Sequence, residues 1–557
     1  MRSPSRQDIG SLSARTLSRR QLFGAGAAAA TFAAGSNLAL RYSVLAQDAA
    51  RPVGGDLKFA LSNEPPNLDP HQASALISAT VDAAILDTLV NELEDGTIVP
   101  GLASSWTFSA DGLTVTFKLL SGVTFHDGAP FNAAAMKQSF DRMVDPATKS
   151  GLAGSLLGPY TGSQAVDDTT LAVSFSTPFA PLLHNLARNF TAPISPQAIA
   201  KYGLDVATNP VGTGPFMFKE WIQKDHITFE KNPNYTWAPA FFNLKGPAAL
   251  DSIVWQPVAE EATRIATLKN GEADAIEAVP PAFVSQISGD STYVIDKHMN
   301  TGIPFCFMVN TQKAPTDDPA VRQALEYGID KATISNTILF GVYPPANSAL
   351  SPATFGYWAG AETMYPYDQA KAKSILDAAG WVVGDGGIRE KNGAKLHIEF
   401  WTLSDVVNFQ NVAQAYQAQL KDIGVDMQIV SLARAAWGDG VNAGKHNLTI
   451  QIFGLSDPSV LALNFHSKNI AAPGGTGFNW ARYSNPDLDK LFDEGDVTLD
   501  DAKRVDIYAQ AQKIILDNAV MIPVYLLYQI FGRTTKLENI TYIVGGLPML
   551  YSATLQK

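Results

Sequence analysis

Apolar and polar residues alternate from Leu113 to Leu119, the period-two pattern of a half-buried strand, and Gly122 closes it. Leu57 to Leu61, Leu396 to Phe400 and Asp426 to Val430 also read as strands, and the apolar run from Met521 to Phe531 predicts one more. Between them the period becomes that of a helix. Asn132 is placed to cap a helix whose Met136, Phe140 and Met143 share one face. Asp318 before Pro319 opens a second, with Val321, Leu325 and Ile329 as its apolar stripe. Asp368 opens a third, with Ala372, Ile375, Leu376 and Ala379 inward and Gly380 at its end. Asp500 starts a last helix through Asp517, with Val505, Tyr508, Ala511 and Ile515 inward. "NEPPNLDPH", Asn63 to His71, is a proline-broken loop. Strands and helices interleave without a fixed repeat, which predicts an α/β protein with mixed sheets.

The first 46 residues follow a different plan. Arg2, Arg6, Arg15, Arg19 and Arg20 precede the weakly apolar stretch Leu22 to Ala34, and Val44-Leu45-Ala46 fits a cleavage site before Gln47. That stretch is too short to span a bilayer, which takes about 20 strongly apolar residues. Arg19-Arg20, preceded by Ser18 and followed by Gln21-Leu22-Phe23, resembles the twin-arginine signal that sends folded proteins across a bacterial inner membrane. Removing residues 1–46 takes away six arginines and one aspartate, so the net charge moves from −12 to about −17. Such a charge repels polyanions, and nucleic acid is not an expected partner. Cys306 is the only cysteine, which excludes an internal disulfide, a thiolate metal cluster and a lipid-anchoring cysteine behind the signal. Within Ile303 to Val309 it reads as a small buried apolar residue. The expectation is a periplasmic protein, exported and not lipid-anchored.

No reactive constellation stands out. The eight histidines are scattered, with no His-Glu-x-x-His, and neither a Gly-x-Ser-x-Gly elbow nor a Ser-x-x-Lys occurs. "NPVGTGPF", Asn209 to Phe216, lacks the lysine and hydroxyl of a phosphate loop and the third glycine of a dinucleotide fingerprint, so it reads as a tight backbone turn. Glu260-Glu261 and Asp317-Asp318 read as solvated faces or helix starts. Neither catalysis nor a cofactor nor a bound metal is expected.

Six stretches occur in an order that is similar to extracellular solute-binding protein family 5, the peptide, nickel and opine type of periplasmic binding protein. They are "LSNEPPNLDPHQAS", "GVTFHDGAPFNAAAMKQSFDRMVDP", "NPVGTGPFMFKEW", "VNTQKAPTDDPAVRQALEYGIDK", "YDQAKAKSILDAAGW" and "RYSNPDLDKLFDE". The resemblance implies a two-lobed, type II periplasmic binding fold. Residues 47–300 and 521–557 would form lobe I, with an extra subdomain at about 102–203 in this family's manner, and residues 301–520 would form lobe II. It implies a monomeric receptor that closes on a small peptide, or a peptide-like or opine-like compound, and docks on the permease subunits of an ABC importer. A nickel-type receptor for a metal chelate is an alternative within the family. A periplasmic cofactor enzyme, prompted by the export route, is a third possibility that the scarce cysteines and absent fingerprints oppose.

The same resemblance points to a loop of lobe II, "QIFGLSDPSVLALNFHS", in which peptide binders pair an aspartate with the ligand ammonium group. Asp457 is its only acid and is the expected anchor, while its place directly before Pro458 keeps a purely structural Asp-Pro role open. Gly454 would allow close backbone approach. Trp401, Trp437 and Phe453 are candidate aromatic walls, and His71 and His466 candidate lining residues, each against a core-packing alternative.

Overall fold

The computed structural model describes residues 54–475 and 477–556, so the export signal and its cleavage site lie outside the described residues. Asn132 Oδ1 accepts from Ala135 N at 3.0 Å and opens the helix Ala133–Val144, which buries Met136, Phe140 and Met143. Asp318, Asp368 and Asp500 cap Pro319–Tyr327, Gln369–Ala378 and Asp501–Asp517 in the same way. In each case a side-chain oxygen satisfies an N–H that has no partner within the helix. The last helix also turns Arg504 and Gln512 inward, which an apolar stripe does not announce.

Two large mixed sheets organise the chain. One has seven strands and is built around Asp56–Leu61, which runs parallel to both Ser252–Pro257 and Ala275–Ile276. The other has five strands, in the order Asp426–Leu432, His397–Leu403, Leu448–Phe453, Ile303–Val309 and Met521–Tyr525. Each sheet has its own apolar core, and we call the two bodies the first and second lobes. A four-stranded antiparallel sheet made from residues 103–175 adds a further layer, against which the helix Ala133–Val144 packs. Among the described residues no helix is long and apolar enough to cross a membrane.

The chain passes between the lobes at two short crossings. Tyr293–Met299 belongs to the first sheet and Ile303–Val309 to the second, so residues 300–302 make one crossing; residues 526–527 make the other, between Met521–Tyr525 and Tyr528–Thr534. Asn300 N donates to Leu527 O at 2.9 Å and ties them together. The apolar run from Met521 to Phe531 is therefore two strands and not one. Residues 521–525, expected with lobe I, pair with Ile303–Val309 in the second lobe instead. The run stays apolar through the change of sheet because residues on both sides enter cores, so hydropathy carries no mark of the break. Ile303–Val309 is buried along its whole length, with the Cys306 thiol inside it.

The glycine-rich turn holds the first lobe together. Gly214 N donates to Ile85 O and Phe216 N to Ala84 O, both at 3.0 Å, while the Gly212 and Gly214 carbonyls accept from His126. A Cβ on Gly212 would sit 2.1 Å from Ile85 O, and one on Gly214 2.5 Å from Ile85 C. Between them Thr213 Oγ1 donates to Asp87 Oδ2 at 2.9 Å, and Tyr235 and Trp237 donate to the same carboxylate. Burial still pushes the Asp87 carboxyl up to about 6 despite these three donors. The glycines are needed for close backbone approach.

Candidate ligand-binding site

The lobes meet where the strand Leu448–Phe453 ends. Gly454 is exposed there, and a Cβ on it would meet only Thr301 O, at 3.8 Å in the crossing region. Two residues on, Ser456 Oγ of the second lobe donates to Glu92 Oε2 at 2.6 Å. Glu92 lies on the first-lobe side, 1% exposed, and its other oxygen pairs with His184 Nδ1 at 3.0 Å. The His184 ring stacks on Phe355 of the second lobe, with centroids 5.6 Å apart. Burial alone lowers the pKa of His184, but the hydrogen bond and charge of Glu92 outweigh it and raise it above the ordinary imidazole value. Ala180 N also donates to Asp496 O across this seam, at 2.8 Å. The junction is thus polar, buried and assembled from both lobes.

Asp457 lies beside this junction but serves another partner. Its Oδ1 and Oδ2 each accept from the Arg504 guanidinium at 2.9 Å, both residues are 1% exposed, and Oδ1 also accepts from Ser459 N. Burial pushes its carboxyl up, and the charge of Arg504 more than reverses this, holding it below the usual carboxylate range. In this structure the expected ammonium anchor is engaged within the protein: both oxygens accept from Arg504, a bidentate pair that ties the Asp-Pro turn to the last long helix.

His71 and His466 are likewise redirected. His71 is fully buried; its Nδ1 accepts from Arg142 Nη1 at 2.8 Å and its Nε2 donates to Ala192 O at 3.0 Å. Burial pushes its pKa down to about 4, so the ring is neutral, locked by the same arginine that pairs with Asp69. His466 is nearly buried, and its Nδ1 accepts from Lys468 N to cap a short turn. Trp437 is buried too, donating to Thr449 Oγ1 at 3.1 Å, with Trp480 edge-on at 5.2 Å. Trp401 is half-buried and packs so closely on Gly440 that a Cβ there would lie 1.9 Å from its ring. Phe453 remains half-exposed next to Gly454, edge-on to the exposed Phe478 at 5.0 Å. Of the seven candidates, Phe453 and Gly454 lie next to the junction with surface exposed, and Trp401 keeps part of its side chain exposed as well. No group of three His, Cys, Asp or Glu side chains suited to hold a metal occurs among the described residues.

Sequence reasoning missed Glu92, His184, Ser456 and Arg188. Arg188 follows the helix Leu182–Leu186 that carries His184, and the charge of Glu92 acts on it. A faint signal existed, because the chain holds no acidic residue between Asp168 and Asp205, so a partly buried cation there has no partner nearby in sequence.

The family described as "Bacterial extracellular solute-binding proteins, family 5 Middle" matches residues 97–471. The glutathione-binding protein GsiB of Pectobacterium atrosepticum is 32% identical over 513 residues, covering 91% of this chain and 93% of that relative. Among solved structures, the periplasmic binding protein DppA from Helicobacter pylori in complex with the peptide STSA superposes with a TM-score of 0.74 at 26% identity, over 91% of this chain and 99% of that one. NikA from Brucella suis, in complex with Fe(III)-EDTA, shares the fold with a TM-score of 0.79 at 24% identity, over 90% and 100% of the two chains.

Proposed function

The chain belongs to the bacterial extracellular solute-binding proteins of family 5, and on that premise we propose that it captures a small peptide or peptide-like compound between its lobes and delivers it to an ABC importer. The supporting observation is mechanical: two crossings of two or three residues join lobes that also meet through the polar junction and an apolar cluster drawn from both sides. Short crossings absorb rotation, and closing a cleft surrounds a ligand with fixed backbone groups and a few side chains. Phe453 and the exposed backbone of Gly454 are the second lobe's contribution to that wall, and Glu92 and His184 bring charge from the first. No bond is made or broken in this cycle. Glutathione leads the ligands to try because relatives over 30% identical carry that specificity in their names.

The ligand test uses mature protein with glutathione, short peptides, opines and nickel chelates. A ligand confined to the folded state stabilises it by about 2.7 kcal/mol at a hundredfold excess over Kd. At least one compound should raise the melting temperature and reduce the radius of gyration in solution scattering. Binding with an unchanged radius would count against lobe closure.

Export as a folded monomer through the twin-arginine machinery, with residues 1–46 removed, completes the proposal. The receptor for that signal reads both guanidinium groups. Arg19→Lys combined with Arg20→Lys should leave precursor in the cytoplasm, as read by fractionation and immunoblot; undiminished mature protein in the periplasm would reassign the export route.

A further inference from the structure

The segment 339–345 is built into both lobes. Leu339, just past the helix Lys331–Thr337, is fully buried in the second-lobe core, and three residues later Val342, 7% exposed, enters a different cluster. Every other buried member of that cluster among the described residues comes from the first lobe, including Ile265, Leu268, Ile276, Val279 and Ile530. Tyr343 packs on both cores, and its ring stacks on Tyr525 with centroids 5.7 Å apart. From the first-lobe strand Tyr293–Met299, Lys297 Nζ donates to Val342 O at 3.1 Å, and its ammonium lies 4.9 Å from the centroid of the Tyr528 ring. Leu526 N donates to Pro344 O at 2.8 Å, which ties the segment to the second crossing. The turn between the two cores is strained. Phe340 has a φ of +55° and Gly341 one of +70°, and a bulky residue holds the left-handed conformation only where its surroundings impose it. The Phe340 ring is 61% exposed, so the constraint comes from either side of it: Gly341 N donates to Ser335 O and Val342 N to Leu339 O, each at 2.9 Å.

We propose that residues 339–345 are a strap that sets the axis and the limit of lobe movement, with Val342 as a tooth seated in a first-lobe socket and Lys297 as its clasp. The proposal rests on the receptor function above. The two crossings are tied to each other through Asn300 N and Leu527 O, so alone they act as one flexible point about which a lobe can swing in any direction. A third contact away from that point leaves a single axis free, and residues close to an axis move little while the edges of the cleft move far. The contacts Glu92–Ser456 and His184–Phe355 part when the cleft opens, whereas the strap stays engaged. Backbone strain fits this role: the turn at Phe340 is fixed by what lies on either side of it, so Val342 is presented to its socket rigidly.

The test needs no ligand. Mature wild type, Val342→Ser, Lys297→Met and the double variant are compared by solution scattering and by hydrogen exchange of the Asn300 amide, which bonds to Leu527 and to no part of the strap. The empty double variant should have a larger radius of gyration than wild type, and its Asn300 amide should exchange about tenfold faster or more, with the single variants between. Lys297→Met changes one exposed side chain and leaves both cores intact, so its effect is read on folded protein even where Val342→Ser costs stability. A lowered melting temperature in Val342→Ser with unchanged radius and unchanged Asn300 exchange would make Val342 an ordinary core residue and overturn the strap. A Lys297→Met protein indistinguishable from wild type in both measurements overturns it as well. If no compound in the ligand test compacts the wild type, the receptor function falls, while a widened double variant still supports the strap. A ligand that compacts wild type and double variant from the same starting radius to the same final one would sustain the receptor function and sink the strap.

Discussion

Gly212→Ala is expected to leave little or no folded protein. The new methyl group would be placed 2.1 Å from the Ile85 carbonyl oxygen, well inside van der Waals contact, and 2.6 Å from Leu86 Cδ2. The leucine side chain can rotate but the Ile85 carbonyl cannot, so the turn and the segment 84–87 must separate. That movement strains the hydrogen bonds from Gly214 N and Phe216 N to Ile85 and Ala84, and loosens the three donors aimed at Asp87. Overpacking of this kind costs about 3 kcal/mol or more, a large share of the stability of an ordinary domain. Gly438→Ala is the matched control: it lies in the helix Arg434–Asn442, its Cβ would meet nothing within 4 Å, and it should be neutral or stabilising by up to about 1 kcal/mol. Thermal melting of the two variants checks the pair. A Gly212→Ala protein that melts like wild type would mean that the turn can lift off without cost.

Asp457→Asn should lower the melting temperature of the empty protein substantially. It keeps the size of the side chain but strands the Arg504 guanidinium, 1% exposed, without a counter-charge, and breaking a buried pair from one side typically costs about 3–5 kcal/mol. Replacing both partners should recover part of the loss, so Asp457→Asn with Arg504→Met is expected to be less damaging than the sum of the single changes. The pH dependence has a definite sign. The folded-state pKa of Asp457 is depressed, so its contribution is present above the unfolded carboxylate value and is lost as pH falls toward the folded one. The variant should therefore show a shallower loss of stability on acidification than wild type. An unchanged melting point combined with weakened binding of an amine-bearing ligand would restore Asp457 to the role of ammonium anchor.

What the sequence disclosed was mostly local. Asn132, Asp318, Asp368 and Asp500 act within three residues of themselves, and strand alternation from Leu113 reports a single buried face, so both survive in the fold. The family stretches carried the two-lobed architecture, which hydropathy alone does not specify. Pairings across distance stayed hidden. Asp457 and Arg504 are 47 residues apart, and Arg504 sits on the inward face of a helix whose apolar stripe gives no sign of a cation. His71 looked available because a proline-broken loop suggests exposure, yet Arg142 from the helix Ala133–Val144 closes over it. Trp437 and His466 were ambiguous for the complementary reason: an aromatic ring satisfies a core as well as a cleft, and only its neighbours decide which. At the junction, Glu92, His184 and Ser456 come from three separate segments, so no motif could have joined them.

The position of Cys306 makes this chain an accommodating object for distance spectroscopy. The thiol is fully buried in a strand of the second lobe, and burial with the nearby charge of Glu326 pushes its pKa up, so the thiolate that maleimide or methanethiosulfonate reagents attack is scarce and out of reach. The native residue can stay in place. Cysteines introduced at Val166, 58% exposed on the four-stranded sheet, and at Val383, 64% exposed in a hairpin on the second-lobe side, would then be the reactive pair. A fluorophore or spin label on each would turn the angle between the lobes into a ruler reading, molecule by molecule, in the presence of any solute placed in the buffer.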